Sequence, residues 1–269
     1  MRIGIGRIGL NALAVGEGLA VDGHHHAAGG AQDGFAYQNQ KTESWALFAN
    51  LDYDVSEQLN ALAANSPFWF GKDSGLASAR TVLFRSYPRA AMAPEFADFD
   101  EFTSVTRQVC RAAGLADYTH IWWDARIHPG LGTIEIRAAD TQTELWRAEA
   151  IAALTHCLVR LEAERSQADL PAREALAEST FQASRHGLDA ELLDRDLELV
   201  PARELARRRV EEVAECGSAL NCSASLARVL EIVSRDTGAA WQRRVQAERG
   251  TEHLLEALVE RTAALATNG

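Results

Sequence analysis

Two acids and two arginines set inside otherwise apolar sequence are the residues from which chemistry is argued first. In the stretch from His120 to Thr141, the runs Ile121–Arg126 and Thr133–Ala138 are rich in β-branched and aromatic residues, and a turn-forming segment, His128, Pro129, Gly130, Leu131 and Gly132, separates them. This pattern reads as a β-hairpin. Side chains alternate along a strand, so Trp122, Asp124 and Arg126 share one face of the first run, and Thr133, Glu135 and Arg137 share one face of the second. Two carboxylates and two guanidiniums can then line a single surface. A carboxylate there can hold Mg2+ while a guanidinium beside it neutralises phosphate oxygens. The same pattern also describes a solvated sheet face laced by cross-strand ion pairs. The bulky His120, Trp122 and Trp123 favour a walled cleft over that blander reading.

The elements that must position this hairpin are readable on both sides. Residues 55–64 have helical spacing with Leu59 and Leu62 inward, and Asn65-Ser66-Pro67 stops them, because the residue before a proline avoids helical geometry. Asn65 to Gly75 then reads as a loop whose rings, Phe68, Trp69 and Phe70, plug the core beneath it, with Lys72, Asp73 and Ser74 at its rim. Ser78 to Arg89 carries Arg80, Arg85 and Arg89, a cluster suited to anions as well as to a solvated face. Phe96 to Ala112 reads as an amphipathic helix with acids at its start and Val105, Val109 and Cys110 on one side. After the hairpin, residues 141–164 form a helix opened by a capping box at Thr141 to Glu144, with Ile151, Leu154, Leu158 and Leu161 on one stripe. A further helix starts at Asp169-Leu170-Pro171 and ends at His186-Gly187. Asp189 to Val200 is a connector, and Ala202–Ala214, Ser223–Arg235 and Glu252–Ala266 complete a mostly helical C-terminal third.

The 269 residues suffice for one substantial core. Acids outnumber bases by 38 to 27, for a net charge of -11, which argues against a general nucleic-acid binder. A nucleotide would need a local basic pocket. Cys110, Cys157, Cys216 and Cys222 have no C-x-x-C or Cys/His ligand spacing and read as reduced, buried thiols. No apolar run approaches a bilayer span, and Ile8 to Val15 lacks a clear cleavage site, so the expectation is a cytoplasmic protein with no membrane partner.

The first forty residues offer two motifs. Gly4-Ile5-Gly6-Arg7-Ile8-Gly9 matches the G-x-G-x-x-G of dinucleotide folds and Asp22 stands where a ribose-binding acid would, yet Gly16 and Gly18 break the helix that must follow, leaving too little for a βαβ unit. His24-His25-His26 is flanked by glycines and reads either as a surface loop or as a source of metal or phosphate ligands.

Taken in series, several motifs resemble the carboxylate-amine ligase family related to type 2 glutamate-cysteine ligases. They are Asn65-Ser66-Pro67-Phe68-Trp69 with Gly71-x-Asp73-Ser74-Gly75 and Ser78-x-Arg80, then Trp122-Trp123-Asp124-x-Arg126-x-His128-Pro129 with Gly132-Thr133-x-Glu135-x-Arg137. Ser184 to Asp194 and Thr237 to Arg243 follow in the family's order. The similarity runs from about Leu59 to about Leu255. It implies an α+β fold, glutamine-synthetase-like, in which an antiparallel sheet curls around the active site with helices outside. It also implies ATP-dependent amide or γ-glutamyl bond formation through an acyl phosphate, from an amino-acid carboxylate and an amine. By resemblance, Glu135 holds Mg2+, Arg137 and Arg80 are catalytic beside the transferring phosphoryl group, and Arg85, Arg126, Trp122, Asp124 and Lys72 line the ATP and substrate site.

The chain departs from the family at its front, where the closely spaced glutamates that complete the metal cluster and the His-x-His-x-Gly strand have no counterpart. Residues 1–54 are therefore read as a divergent segment and 55–269 as a partial catalytic domain. Glu135 alone would hold Mg2+ poorly. Two alternatives to an active ligase stay open: a catalytically impaired remnant that binds nucleotide or amino acid, and a structural partner that completes another chain's sheet. Homo-oligomerisation is also left open.

Overall fold

The computed structural model describes residues 56–129, 133–164 and 171–264. The Gly4–Gly9 motif, Asp22 and the His24–His26 triplet lie outside the described residues. The described chain opens with a helix over residues 56–63 (α1), in which Leu59 and Leu62 are both buried as their spacing requires. Ser66 and Pro67 end it as expected.

The next segment differs from its expectation. It is a hairpin, β1 (Phe68–Trp69) and β2 (Lys72–Asp73), and two of its three rings do not plug the core: Phe68 is half-buried, but Trp69 is 52% and Phe70 88% exposed. The two rings meet edge to face at 4.9 Å. Its base is fastened instead of its tip, because Ser74 donates from its N–H (2.9 Å) and its Oγ (2.7 Å) to the Pro67 carbonyl, and Asp73 pairs with Arg243. The tip, with Phe70 and Gly71 both at positive φ, is left to project.

Helix α2 (Ala79–Arg85) begins at Ser78, whose Oγ accepts the Thr81 N–H. Helix α3 (Phe99–Ala113) has Asp98 as its cap, accepting from the Glu101 N–H, while the Glu101 carboxylate reaches back to the Ala97 N–H at 2.6 Å. That reciprocal arrangement satisfies amide donors that a helix start otherwise leaves open. Gly114, at φ 64°, closes the helix.

The central hairpin is present, with shifted bounds. Strand β3 (Ala125–His128) pairs antiparallel with β4 (Thr133–Ile136), placing Arg126 opposite Glu135 and Ile127 opposite Ile134. Residues 121–124 precede the strand because their amides are taken elsewhere: the Trp122 N–H bonds the Arg89 carbonyl (2.9 Å) and the Asp124 N–H that of Ala91 (3.0 Å).

Helix α4 (Leu145–Glu164) starts four residues later than the capping-box pattern suggests. Asn65 Nδ2 donates to the Thr141 carbonyl at 2.8 Å and to Thr143 Oγ1 at 3.1 Å, which holds residues 141–143 in a different path, and the first helical acceptor is Glu144. Ile151, Leu154 and Leu158 are at most 1% exposed and pack against Leu226, Val229, Ile232 and Val233 of α8 (Ser223–Ser234), forming the centre of the main core. Helix α5 (Arg173–His186) ends at Gly187 as its sequence implies.

The expected connector after it is a hairpin, β5 (Glu191–Leu193) and β6 (Leu199–Pro201). Its turn is built by Asp194, whose Oδ1 accepts the N–H groups of Asp196 (2.9 Å) and Glu198 (3.0 Å). Helix α6 (Ala202–Glu212) matches the expected helix to within two residues, and a further short helix, α7 (Ala214–Ala219), follows it beyond the expected end. Helix α9 (Gly238–Ala263) is longer than the expected C-terminal helix and is broken at Gly250, whose φ of 84° with ψ of 172° is a conformation essentially confined to glycine. The Arg261 guanidinium lies 4.3 Å from the centre of the Trp241 ring, whereas a straight helix would separate these positions by about 30 Å, so α9 doubles back at Gly250.

The architecture is α+β. Among the described residues the strands form three separate two-stranded antiparallel sheets, not one. No helix of the described residues is long and apolar enough to cross a membrane.

Candidate active site

The register of β3 with β4 decides how the four charged side chains of the hairpin meet. Arg126 stands opposite Glu135, and the Arg137 N–H donates to the Asp124 carbonyl at 2.7 Å, so Asp124 faces Arg137 one step beyond the strand. All four therefore share the face that alternation assigns them. The face is neither solvated nor a simple row of pairs: Asp124 and Arg126 are buried, Glu135 and Arg137 half-buried. Glu135 bridges two guanidiniums, accepting from Arg126 Nη2 at one oxygen and from Arg137 Nη1, at 2.5 Å, at the other. Arg126 spends its Nη1 on the carbonyls of Thr119 (2.7 Å) and Ile121 (2.6 Å), which pins the turn before the strand.

Helix α2 lays two more guanidiniums against this face. Arg85 pairs with Asp124, while Arg80 donates to the carbonyls of Arg137 (2.7 Å) and Ala138 (3.3 Å). Arg80 and Arg137 approach one ring, Phe84, at 5.3 and 5.4 Å from its centre. Phe84 in turn meets Trp122 at 5.9 Å, and Arg89 lies over Trp122 at 5.5 Å, so the aromatic wall read from the sequence is formed jointly by the hairpin and α2. Lys72 stands apart, exposed on β2, a hairpin tied through Asp73 to α9.

Four guanidiniums thus surround two carboxylates. Burial lowers the pKa of Arg80, and the Arg137 charge acts in the same direction, while Asp140 and Asp124 oppose both. For Glu135 burial favours the neutral acid but is outweighed by the charges and hydrogen bonds of Arg126 and Arg137, and the carboxyl stays below its ordinary value. The Nε atoms of Arg85, Arg126 and Arg137 are buried without an acceptor. The half-buried guanidiniums of Arg80, Arg85 and Arg137 put surplus positive charge on one face, and that fits a chain of phosphates.

Mg2+ does not fit the described residues in the same way. Both oxygens of Glu135 already accept from arginines, and among the described residues no group of three or more His, Cys, Asp or Glu side chains is placed to hold an ion.

Sequence reading overlooked a second set of residues. Asp140, 3% exposed, accepts from the Asn65 N–H (2.8 Å) and Ser66 Oγ (2.7 Å) at Oδ2, and from Ser78 Oγ (2.9 Å) at Oδ1. Burial raises its pKa against those three bonds and the Arg80 charge. Gln242 Nε2 donates to Asn65 O (2.7 Å) and Oδ1 (2.8 Å). The available signal was a lone acid two residues past the expected strand end at Ala138, with Asn65, Ser66, Ser78 and Gln242 all inside the motifs quoted above.

Comparison with known proteins identifies the family. The family model described as glutamate-cysteine ligase family 2 matches residues 57–261. A Rubrobacter xylanophilus protein provisionally named glutamate–cysteine ligase 2-1 is 42% identical over 195 residues, covering 71% of this chain and 52% of that protein. A second from the same organism, provisionally named glutamate–cysteine ligase 2-3, is 42% identical over 205 residues, 76% of this chain and 56% of its own length. The glutamate–cysteine ligase of Natronomonas pharaonis is 35% identical over 203 residues, 74% of this chain and 53% of that one. The chain spans about half the length of these curated relatives. With the match extending over most of the chain and including the whole arginine face, the chain belongs to glutamate-cysteine ligase family 2.

Proposed function

We propose that the chain is an ATP-dependent carboxylate-amine ligase, glutamate-cysteine ligase-like, that joins an amino-acid carboxylate to an amine in an amide or γ-glutamyl bond. The observation that carries this reading is the surplus of guanidiniums on one hairpin face: Arg80, Arg85, Arg126 and Arg137 against Asp124 and Glu135. ATP, when bound, supplies the phosphoryl group that converts the carboxylate to an acyl phosphate, from which the amine releases inorganic phosphate.

The residues of the chain divide the work. Arg137, half-buried and held by Glu135, keeps positive charge where the phosphoryl group develops negative charge, and preorganised charge of this kind is the largest single contribution in many active sites. Arg80 and Arg85 receive the acid substrate or the phosphates. Trp122 and Asp124 wall the site and Arg126 acts through Glu135, while Lys72, which stands apart on the β1–β2 hairpin, is given no part in it. Mg2+ enters the proposal only as the companion of the nucleotide: Glu135, the resemblance's metal ligand, has both oxygens engaged by arginines, and no step is routed through the ion. An antiparallel sheet curled around the site, with β3–β4 as its floor, belongs to the same proposal, as do the reading of residues 1–54 as a divergent segment and a cytoplasmic setting, which suits four free cysteines.

The test is phosphate release from ATP in the presence of glutamate and an amine. Arg137→Met is expected to lower turnover about 100-fold or more, and Glu135→Gln to abolish it. The doubly engaged Glu135 favours one second reading, a binding protein of the same fold without turnover. Tight ATP binding with no phosphate release in any amine would establish that reading and end the first.

A further inference from the structure

Asp140 makes no direct bond to any of the four arginines, yet two of its three partners, Ser66 and Ser78, lead to Arg80. Ser78, which donates to Oδ1, is the cap of α2, so the position of the first turn of that helix follows from Asp140. Arg80 lies in that turn, and its own N–H bonds Ser66 Oγ at 3.2 Å, whose hydroxyl proton goes to Asp140 Oδ2. From the other end, the Arg80 guanidinium holds the carbonyls of Arg137 and Ala138, just ahead of Asp140 in the chain leaving β4. Arg80 therefore spans two segments that Asp140 ties together.

The tie is backed from behind. Asn65, whose N–H reaches Asp140, is gripped by Gln242 and packed so closely against Gly238 that a Cβ there would come within 1.9 Å of Asn65 Oδ1. The 65–66 turn has no room to slide along α9, so its donors stay aimed at Asp140.

We propose that Asp140 is a positioning residue for the arginine face: by joining the 65–66 turn, the start of α2 and the exit of β4 at one carboxylate, it sets the placement of Arg80 against Arg137 and hence the affinity of the face for a phosphate chain. The proposal rests on the reading of that face as a phosphate site. An amide at position 140 is the discriminating change, since it keeps the shape but presents one donor group to a site where three donors converge.

The experiment is calorimetric titration of the full chain with inorganic tripolyphosphate, in the wild type, Asp140→Asn, Arg80→Met and the double variant. Asp140→Asn is expected to keep the wild-type circular dichroism spectrum and to bind about tenfold more weakly. In the Arg80→Met background it should cause no further loss, because its effect passes through Arg80. A role confined to stability would lower the melting temperature of Asp140→Asn and leave its affinity unchanged, which overturns the proposal, as do additive losses in the double variant. Should Asp140→Asn fail to fold, Ser66→Ala takes its place, with a smaller loss that again vanishes beside Arg80→Met; no loss, or an additive one, overturns the proposal equally. A wild-type chain that does not bind tripolyphosphate removes the phosphate reading itself, an outcome distinct from a wild type that binds and an Asp140→Asn variant that binds as well.

Discussion

Glu135 and Asp140 are both acids beside arginines, and their surroundings push them in opposite directions. Glu135 is held below its ordinary value of 4.5, burial notwithstanding, by Arg126 and Arg137. Its contribution to stability is therefore full above that value and is lost as the pH falls through the lower folded value. Asp140 is raised above 3.8 by burial, so the folded chain takes up its proton before the unfolded chain does, and stability gains as the pH falls from neutrality through the raised value towards 3.8. Thermal melts in steps of pH separate the two. His156, whose pKa is lowered by burial, costs stability in the same range, so the comparison is between variants: the wild type should gain on mild acidification relative to Asp140→Asn, and a difference between the two that stays constant from neutrality downward would contradict the assignment to Asp140. Arg126 shows why residue type alone misleads: read as a substrate-binding group, it is 5% exposed and spends its donors on Glu135 and backbone carbonyls, so it supports the site from below.

At the level of elements, the site depends on where helices stop. Helix α5 must end at Gly187 for the chain to turn beneath α1 and α9, and Gly187 has φ 59° and ψ -131°, a conformation that side-chain-bearing residues avoid. A Cβ at this position would also meet Ala77 Cβ at 3.3 Å and Ala64 Cβ and Thr237 Cγ2 at 3.4 Å. Gly187→Ala should cost about 1–3 kcal/mol by denaturant unfolding, and a cost near zero would mean that this junction relaxes freely. The sequence signals that worked here were local. His186-Gly187 foretold the end of α5, because that signal is satisfied within a few residues, while α3 begins at Phe99, three residues after the expected Phe96, where Asp98 caps it. The capping box at Thr141 failed for the opposite reason, since Asn65, more than seventy positions away in sequence, takes Thr141 and Thr143 first.

Over the whole molecule, the core and the site are built from different materials. The core is α4 against α8, with Leu154 fully buried, whereas Trp69 and Phe70, the largest adjacent apolar residues of the N-terminal motif, face outward. Leu154→Ala should cost about 2–5 kcal/mol, while Trp69→Ala should change unfolding free energy by less than about 0.5 kcal/mol. Equal costs would mean that the β1–β2 tip is packed after all.

Periodicity determined the helices, the hairpin and the face shared by Asp124, Arg126, Glu135 and Arg137, because backbone geometry repeats every two or 3.6 residues and leaves its mark on neighbouring positions. The serial motifs determined the family. Tertiary structure alone decided that Glu135 bridges two arginines, that α2 brings Arg80 and Arg85 to the hairpin, that Trp69 and Phe70 point away from the core, and that Asp140 gathers Asn65, Ser66 and Ser78. The contacts of Arg80, Arg85 and Asp140 join segments distant in sequence, and a partner chosen by three-dimensional proximity leaves no period in the chain to be read.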